Sequence, residues 1–277
     1  MGIRLIALDM DGTLLDADHA TVPERSARAL RAAAERGVLV AAATGRPMVF
    51  LEGVARQLGG AMRYGVCANG ASVWDLSTGE RLLSRPLPER QWLQMLAALR
   101  DFGLPFEVYC EGDNYVEQRF AQEAGAWSPS PAYDAMFQGH TIFARDLDGV
   151  LAGRTVEKIH VFRVPAGLRE QVVRRLEQTG PAAVANAFAD NLELTAAGVS
   201  KGGSLKALCA HLNVPAGAVM AFGDGCNDLE MLSWAGWSFA MENGMAEAKA
   251  AAKYAAPANT EGGVGQAVER YVLDGSI

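Results

Sequence analysis

The chain has 277 residues, half of them hydrophobic and 21% charged, which suits about two ordinary globular domains and excludes a small stapled scaffold. Its 25 Lys and Arg face 32 Asp and Glu, and a formal charge of −7 excludes nucleic acid and anionic lipid as default partners. Four scattered cysteines (Cys67, Cys110, Cys209, Cys226) form no Cys-x-x-Cys pair, arguing against a zinc knuckle or a disulfide framework and fitting a reducing compartment. No apolar stretch approaches the roughly 20 residues of a membrane span. The opening segment meets Asp9 and Asp11 too early for a secretory signal, so a cytoplasmic protein is expected.

Residues 3–8 are an apolar run broken only by Arg4 and closed by acids and Gly12, the pattern of a strand buried on both faces of a parallel sheet. Pro23 opens a helical stretch with Ala27, Leu30 and Ala34 on one face, ended by Gly37 as C-cap. Residues 38–43 form a second strand candidate, ending at Thr44-Gly45-Arg46. Pro47 takes a first helical position and leads residues 48–58 into another helix. Residues 64–68 are a third strand, ending at Asn69-Gly70. This alternation predicts a parallel α/β sheet with right-handed crossovers.

The middle of the chain differs. A helix is predicted over 89–102 and another over 168–178, with strands at 106–110 and 158–164 and further strand pieces near Ala182 and Leu192. The stretch 127–138, punctuated by Gly, Pro and Ser, matches no single element. Strands and helices are mixed here, which predicts an α+β insert. From Ser200 the earlier rhythm returns: helix 200–212, strand 219–222, helix 229–234, strand 237–241 and helix 245–253. The expectation is one doubly wound domain, residues 1–81 and 191–277, split by an inserted domain over 82–190.

Open α/β sheets bind ligands beyond the carboxyl ends of their strands. Four predicted strand ends carry polar residues: Asp9-Met10-Asp11-Gly12-Thr13, Thr44-Gly45-Arg46, Asn69-Gly70 and Asp224-Gly225-Cys226-Asn227-Asp228. Each alone is weak, since an Asp-x-Asp is usually a turn device, Thr44 can satisfy a loop backbone, and Asp228 can cap the next helix. Met10 between the acids reads as a packing residue. His19, His140, His160 and His211 are isolated and show no metal-ligand spacing. Neither a Gly-x-Ser-x-Gly elbow nor a Gly-x-x-x-x-Gly-Lys-Ser/Thr loop is present, which disfavours a serine hydrolase and a nucleotide kinase.

Taken in order, Asp9-Met10-Asp11-Gly12-Thr13-Leu14-Leu15, Thr44-Gly45-Arg46-Pro47, Gly198-Val199-Ser200-Lys201-Gly202 and Gly223-Asp224-Gly225-Cys226-Asn227-Asp228 resemble the motifs of the haloacid dehalogenase superfamily. The place of the insert, Asn69-Gly70-Ala71 and the closing Glu261-Gly262-Gly263-Val264 are similar to the Cof-type phosphatases, which carry a large α/β cap. The resemblance covers both outer thirds, and the insert mainly by position and length. It implies a Rossmann-like parallel core and a phosphatase acting on a small phosphorylated metabolite of the sugar phosphate, nucleotide or pyridoxal phosphate class.

It also implies roles. Asp9 would be the nucleophile on phosphorus, being anionic at neutral pH and able to form an acyl phosphate that water cleaves. Asp11 would act as general acid and then base, with its carbonyl on the metal. A dehalogenase needs no acid there, so Asp11 favours phosphate esters. A phosphate dianion beside Asp9, Asp224 and Asp228 meets about 4 kcal/mol of repulsion per charge pair some 4 Å apart. Magnesium held by Asp9, Asp224 and the Asp11 carbonyl would cancel it, with Lys201 adding a positive charge and Thr44 a hydroxyl donor. Asp228 would bind magnesium, through water, or orient Lys201, or only cap a helix. Gly45 and Asn227 would belong to the phosphate site. Arg46 reads equally as a substrate contact or a solvated cation, and Asn69 as a turn residue that touches phosphate or leaving group.

The insert would be a cap closing over the strand ends and excluding water, hinged near 82–88 and 189–192. Tyr109, Glu111, Asn114, Tyr115 and Lys158 are its candidates for contact with the leaving group, each also readable as an exposed hairpin residue. Phosphoryl transfer to another alcohol, or phosphate binding without turnover, are the competing readings. The intact set of Asp9, Asp11, Thr44, Lys201 and Asp224 speaks against the last. The protein would work as a monomer or homodimer.

Overall fold

The structure, a computed structural model, describes residues 2–121, 128–185 and 190–275. Its first part alternates β1 (Leu5–Leu8), α1 (Glu24–Glu35), β2 (Leu39–Ala43), α2 (Glu52–Gln57), β3 (Met62–Cys67), β4 (Ser72–Asp75) and β5 (Glu80–Ser84). The middle holds α3 (Glu89–Asp101), β6 (Phe106–Cys110), β7 (Asp113–Glu117), α4 (Pro131–His140), β8 (Thr141–Ala144), α5 (Leu147–Leu151), β9 (Val156–Val161), α6 (Arg169–Glu177), β10 (Ala182–Ala185) and β11 (Leu192–Ala196). The last part runs α7 (Lys201–His211), β12 (Val219–Gly223), α8 (Leu229–Trp234), β13 (Trp237–Met241), α9 (Ala246–Ala251), β14 (Tyr254–Ala256) and α10 (Gly263–Val268).

Two sheets result. The larger has the order β14-β13-β12-β1-β2-β3-β4-β5 and is parallel from β14 to β3. β1 shows why its residues make a central strand. Ile6 and Leu8 enter a core with Leu30 and Ala33 of α1 and Val264 of α10, while Leu5 and Ala7 enter a second core with Leu205 and Leu208 of α7. A strand apolar on both faces can be stable only between two helix layers. The chain adds strands outward from β1 through β2 to β3, then returns beside β1 with β12 and adds β13 and β14 on the other side. The order therefore reverses between β1 and β12, the crevice where such sheets hold ligands.

The edge departs from the expected parallel pattern. β4 and β5 run antiparallel to β3 and to each other, a hairpin that closes this side of the sheet. The helix expected over 48–58 begins as a tighter turn over Met48–Leu51 before α2. There the Val49 N–H bonds the carbonyl of Gly112 in the middle part at 2.9 Å, tying the two parts together.

The smaller sheet, in the order β10-β11-β9-β6-β7-β8, is antiparallel apart from the β7–β8 pair. Its two faces differ. Phe106, Val108, Ile159, Val161, Leu192 and Leu194 pack against Trp92, Met95 and Leu99 of α3 and Val172 of α6. The alternate residues Glu107, Tyr109, Lys158, His160 and Glu193 face the other way, toward the carboxyl ends of β1, β2 and β12. Sheet membership moves both expected domain joins. β5 belongs to the large sheet as far as Ser84, and β11 belongs to the small one, so the insert begins after residue 84 and ends after 196. The second expected hinge begins at Ala189, outside the described residues. Helix α4 (Pro131–His140) covers 131–138 of the stretch left unassigned by its composition, started by Pro131 and by the Ser130 hydroxyl accepting the Tyr133 N–H at 3.0 Å.

Register slips between Tyr109 and Cys110, where Tyr109 pairs with Lys158 but Cys110 with Val156. Glu157 is the extra residue of this bulge, and a bulge re-aims a side chain. Its carboxyl is fully buried, with Arg81 Nη1 3.8 Å away, and burial pushes its pKa up to about 7 despite Ser72, Arg81 and the Gly112 N–H. An acid whose folded pKa is raised costs stability above that pKa, and the cost fades as pH falls toward its unfolded value near 4.3. Glu157→Gln should therefore raise stability more at pH 8 than at pH 5, by about 1–3 kcal/mol in urea unfolding. An equal effect at both pH values would contradict the burial argument.

Candidate active site

Asp9 follows β1 directly, and its N–H bonds the Phe222 carbonyl of β12 at 3.0 Å. Asp224 follows β12 on the other side of the crevice. Between them the chain after Asp9 turns tightly through Asp11 and Gly12, with φ of +79° at Gly12. A Cβ at Gly12 would run into the Asp224 carboxylate, so only glycine allows the two loops to approach. The Thr13 hydroxyl then donates to Asp224 Oδ1 at 2.9 Å.

The structure brings Asp9, Asp224 and Asp228 together, one carboxylate oxygen of each within 4.8 Å of the others. Lys201, the first residue of α7, reaches in from behind. Its Nζ donates to Asp9 Oδ1 at 2.6 Å and to Asp228 Oδ1 at 2.8 Å, with the side chain 1% exposed. Burial raises the Asp9 carboxyl well above the usual range, aided by Asp228 and Asp224 and opposed by Lys201. Asp224 is raised by burial and by Asp228. Lys201 is held above the ordinary lysine range by Asp228 and Asp9, which outweigh its burial. Three carboxylates against one ammonium leave two negative charges in a largely buried space. A divalent cation with a taste for hard oxygen ligands fits that donor set.

Asp228 does two jobs in this arrangement. One oxygen holds Lys201, and the other accepts the N–H groups of Asp224 at 3.0 Å and Gly225 at 3.1 Å. It braces the loop and positions the lysine; its side chain makes no cap to α8.

Asp11 is turned away from the other acids. Arg46 grips it with two bonds, Nε to Oδ2 at 2.8 Å and Nη2 to Oδ1 at 2.5 Å, and His19 Nδ1 lies 2.8 Å from Oδ1. Arg46 and His19 outweigh burial and hold this carboxyl well below the usual range. Arg46 is thus not a solvated cation, and it lines the cavity. It is 4% exposed, engaged with Asp11 and lying over the Tyr133 ring of α4 at 5.2 Å.

Thr44 and Asn69 stand behind the crevice. The Thr44 hydroxyl oxygen accepts the Arg46 N–H at 3.1 Å. Asn69 occupies a left-handed turn (φ +56°) and its amide donates to Glu193 Oε2 at 2.6 Å, while Asn227 Nδ2 lies 3.5 Å from its Oδ1. The Gly45 carbonyl accepts from Lys158 Nζ at 2.7 Å, and Lys158 also pairs with Glu193 Oε1 at 2.5 Å. Glu193 is held down to about 2, because Lys158 and then His160 outweigh its burial. This buried pair sits on both the Gly45 loop and the Asn69 turn.

A cavity of about 1000 Å³ lies between the two sheets, lined by Asp9, Asp11, Asp224 and Lys201 from the large domain and by Tyr109, Tyr133, Phe162 and His160 from the insert. Of the insert residues singled out by sequence, Tyr109 and Lys158 line it. Asn114 is buried beside it, donating to Glu107 Oε2 at 2.9 Å. Glu111 and Tyr115 lie elsewhere, both engaged with Arg154. Sequence reasoning missed Glu193, His160, Phe162, Tyr133 and His19. A period of two from Lys158 through His160 and Phe162 was the available signal for two of them.

The geometry meets its comparison here. Residues 6–268 match the family model of haloacid dehalogenase-like hydrolases. The chain belongs to that family. This Cof-type hydrolase is 27% identical to a 5-amino-6-(5-phospho-D-ribitylamino)uracil phosphatase of Bacillus subtilis, over 98% of this chain and 96% of that protein. It is 31% identical to an HMP-PP phosphatase of Cronobacter sakazakii, over 87% and 85% of the two chains. A haloacid dehalogenase-like hydrolase from Bacteroides thetaiotaomicron superposes with a TM-score of 0.85 at 25% identity, over 97% of this chain and 99% of the other. The enzyme is a phosphoric monoester hydrolase. Among the described residues no helix of this Cof-type hydrolase is long and apolar enough to cross a membrane.

Proposed function

We propose that the enzyme is a magnesium-dependent cytoplasmic phosphatase that hydrolyses a small phosphorylated metabolite, of the sugar phosphate, nucleotide or pyridoxal phosphate class, through an aspartyl phosphate on Asp9. The observation carrying this reading is the cluster of three carboxylates and one buried lysine where the strand order reverses. Relatives named for a phosphorylated ribitylaminouracil and for HMP-PP support a small-metabolite substrate. Asp9 and Asp224, with the Asp11 carbonyl, would hold magnesium, which when bound neutralises the phosphate and the developing charge.

This chain's own groups supply the rest. Lys201 opposes the rise that burial imposes on the Asp9 carboxyl and adds positive charge beside it. The Thr44 hydroxyl, whose oxygen is already fixed by the Arg46 N–H, has its proton to give to a phosphate oxygen. An Asp9 oxygen forms a bond to phosphorus while the bond from phosphorus to the leaving oxygen breaks, and Asp11 gives that oxygen a proton. Water then attacks phosphorus, Asp11 takes its proton, and the bond to Asp9 breaks to release phosphate. The grip of Arg46 keeps Asp11 ionised but weakens it as a base, so it must loosen for both proton transfers.

A generic aryl phosphate tests this reading. Chelation should remove at least about 99% of turnover and added magnesium should restore it. In water enriched in heavy oxygen the label should appear in free phosphate. Unlabelled phosphate on a new alcohol would instead identify transfer, and turnover indifferent to chelation would remove the metal from the reading.

A further inference from the structure

Every cation that lines the cavity already has a carboxylate partner. Lys201 holds Asp9 and Asp228, Arg46 holds Asp11, and Lys158 holds Glu193. His160 Nδ1 lies 2.7 Å from Glu107 Oε1. The segments 122–127 and 186–189 contain no Lys or Arg that could add another. The insert side of the cavity therefore offers a second anion nothing but cations that are already paired. Bringing such an anion in would mean burying it unpaired, or breaking a buried pair to serve it, and either is strongly unfavourable.

The same side is walled by rings in mutual contact. Tyr133 stacks on Phe137 at 6.5 Å, Phe137 meets Phe162 edge-on at 5.9 Å, and Phe162 meets His160 at 5.2 Å. This wall does not depend on one mobile side chain, because Phe50 of the large domain braces Phe137 from outside at 6.1 Å. Offset and edge contacts with such a surface favour a flat unsaturated partner, while a polyhydroxylated chain would leave hydroxyls facing carbon.

We propose that the alcohol displaced from phosphorus carries a flat unsaturated ring and no second negative charge. This inference rests on the phosphatase reading above and narrows it. Glu193 is then a specificity-determining residue: by occupying Lys158 it denies that ammonium to an anionic leaving group.

The test compares benzyl phosphate, 4-carboxybenzyl phosphate and a hexose 6-phosphate with the magnesium-loaded full chain, reading kcat/KM. Benzyl phosphate should exceed the hexose phosphate by about tenfold or more, and the carboxylated ring by about thirtyfold or more. Glu193→Gln should shrink the gap between the two benzyl esters by about tenfold, a ratio taken within one preparation and so insensitive to any general loss of activity. Phe162→Ala should raise KM for benzyl phosphate while changing the hexose phosphate little. A hexose phosphate used as well as benzyl phosphate overturns the ring. A carboxylated ester used as well as its neutral parent, or a gap unmoved by Glu193→Gln, overturns the charge rule. Failure to hydrolyse any of the three, or the generic aryl phosphate, overturns the phosphatase reading and this inference with it.

Discussion

Asp9→Asn should abolish turnover, by roughly five to six orders of magnitude, the scale on which removing a nucleophile acts. An amide nitrogen or oxygen in this position has no anionic lone pair to place on phosphorus, and neighbouring Asp224 and Asp228 are committed to Thr13, Lys201 and the loop backbone. The fold should survive. The carboxyl is raised by burial and by two neighbouring acids, so a neutral group of the same shape relieves repulsion there even as Lys201 exchanges a carboxylate acceptor for an amide oxygen. Calorimetry without metal should give a Tm equal to or above that of the parent. With magnesium the parent should gain stability through binding of the folded state alone, and the variant should gain less. Residual turnover within a hundredfold of the parent would remove Asp9 from the role.

Lys201→Met should cost both activity and stability. It leaves Asp9 and Asp228 facing each other in a buried space without their shared cation, and breaking a buried pair in this way costs about 3–5 kcal/mol. Contact with Asp228 and Asp9 keeps the folded-state lysine pKa above its unfolded value near 10.4, so its stabilising contribution is complete at all lower pH and is lost only on alkaline titration through the folded value. In the variant the acids can relieve their repulsion by taking up a proton. Urea unfolding should therefore show a larger deficit at pH 8 than at pH 5.5, and turnover should fall by about 10³-fold or more. A deficit below 1 kcal/mol at both pH values would mean that the pair does not organise the site.

Much of the large domain was legible because buried parallel strands announce themselves. Residues 3–8 and 38–43 are apolar on both faces and end in polar loops, so their positions and the crevice beyond them could be read directly. The β4–β5 hairpin was not, since a short amphipathic strand at a sheet edge carries little pattern. Domain joins were misplaced for a similar reason: β5 and β11 are each a single strand's length from a junction, and composition does not change there. The acids after β1 and β12 were readable as a set, whereas Arg46 was not, because its partner Asp11 lies 35 residues away and only folding joins them. Glu193, and its pairing with Lys158, were hidden by the same separation across the small sheet.

The small sheet packs α3, α5 and α6 on one face, and on the other only helix α4 covers it among the described residues, at Val116 and Phe143. Its fatty interior is built from Phe106, Ile159, Leu194 and their helix partners, and the opposite face, with Glu107, His160 and Glu193, contributes nothing to that interior. Natural drift or deliberate retooling can therefore exchange residues that face the cavity, such as His160 and Glu193, without touching the interior that packs against α3 and α6. One scaffold of this kind can be refitted for new chemistry at the cost of a handful of changes on a single pleated surface.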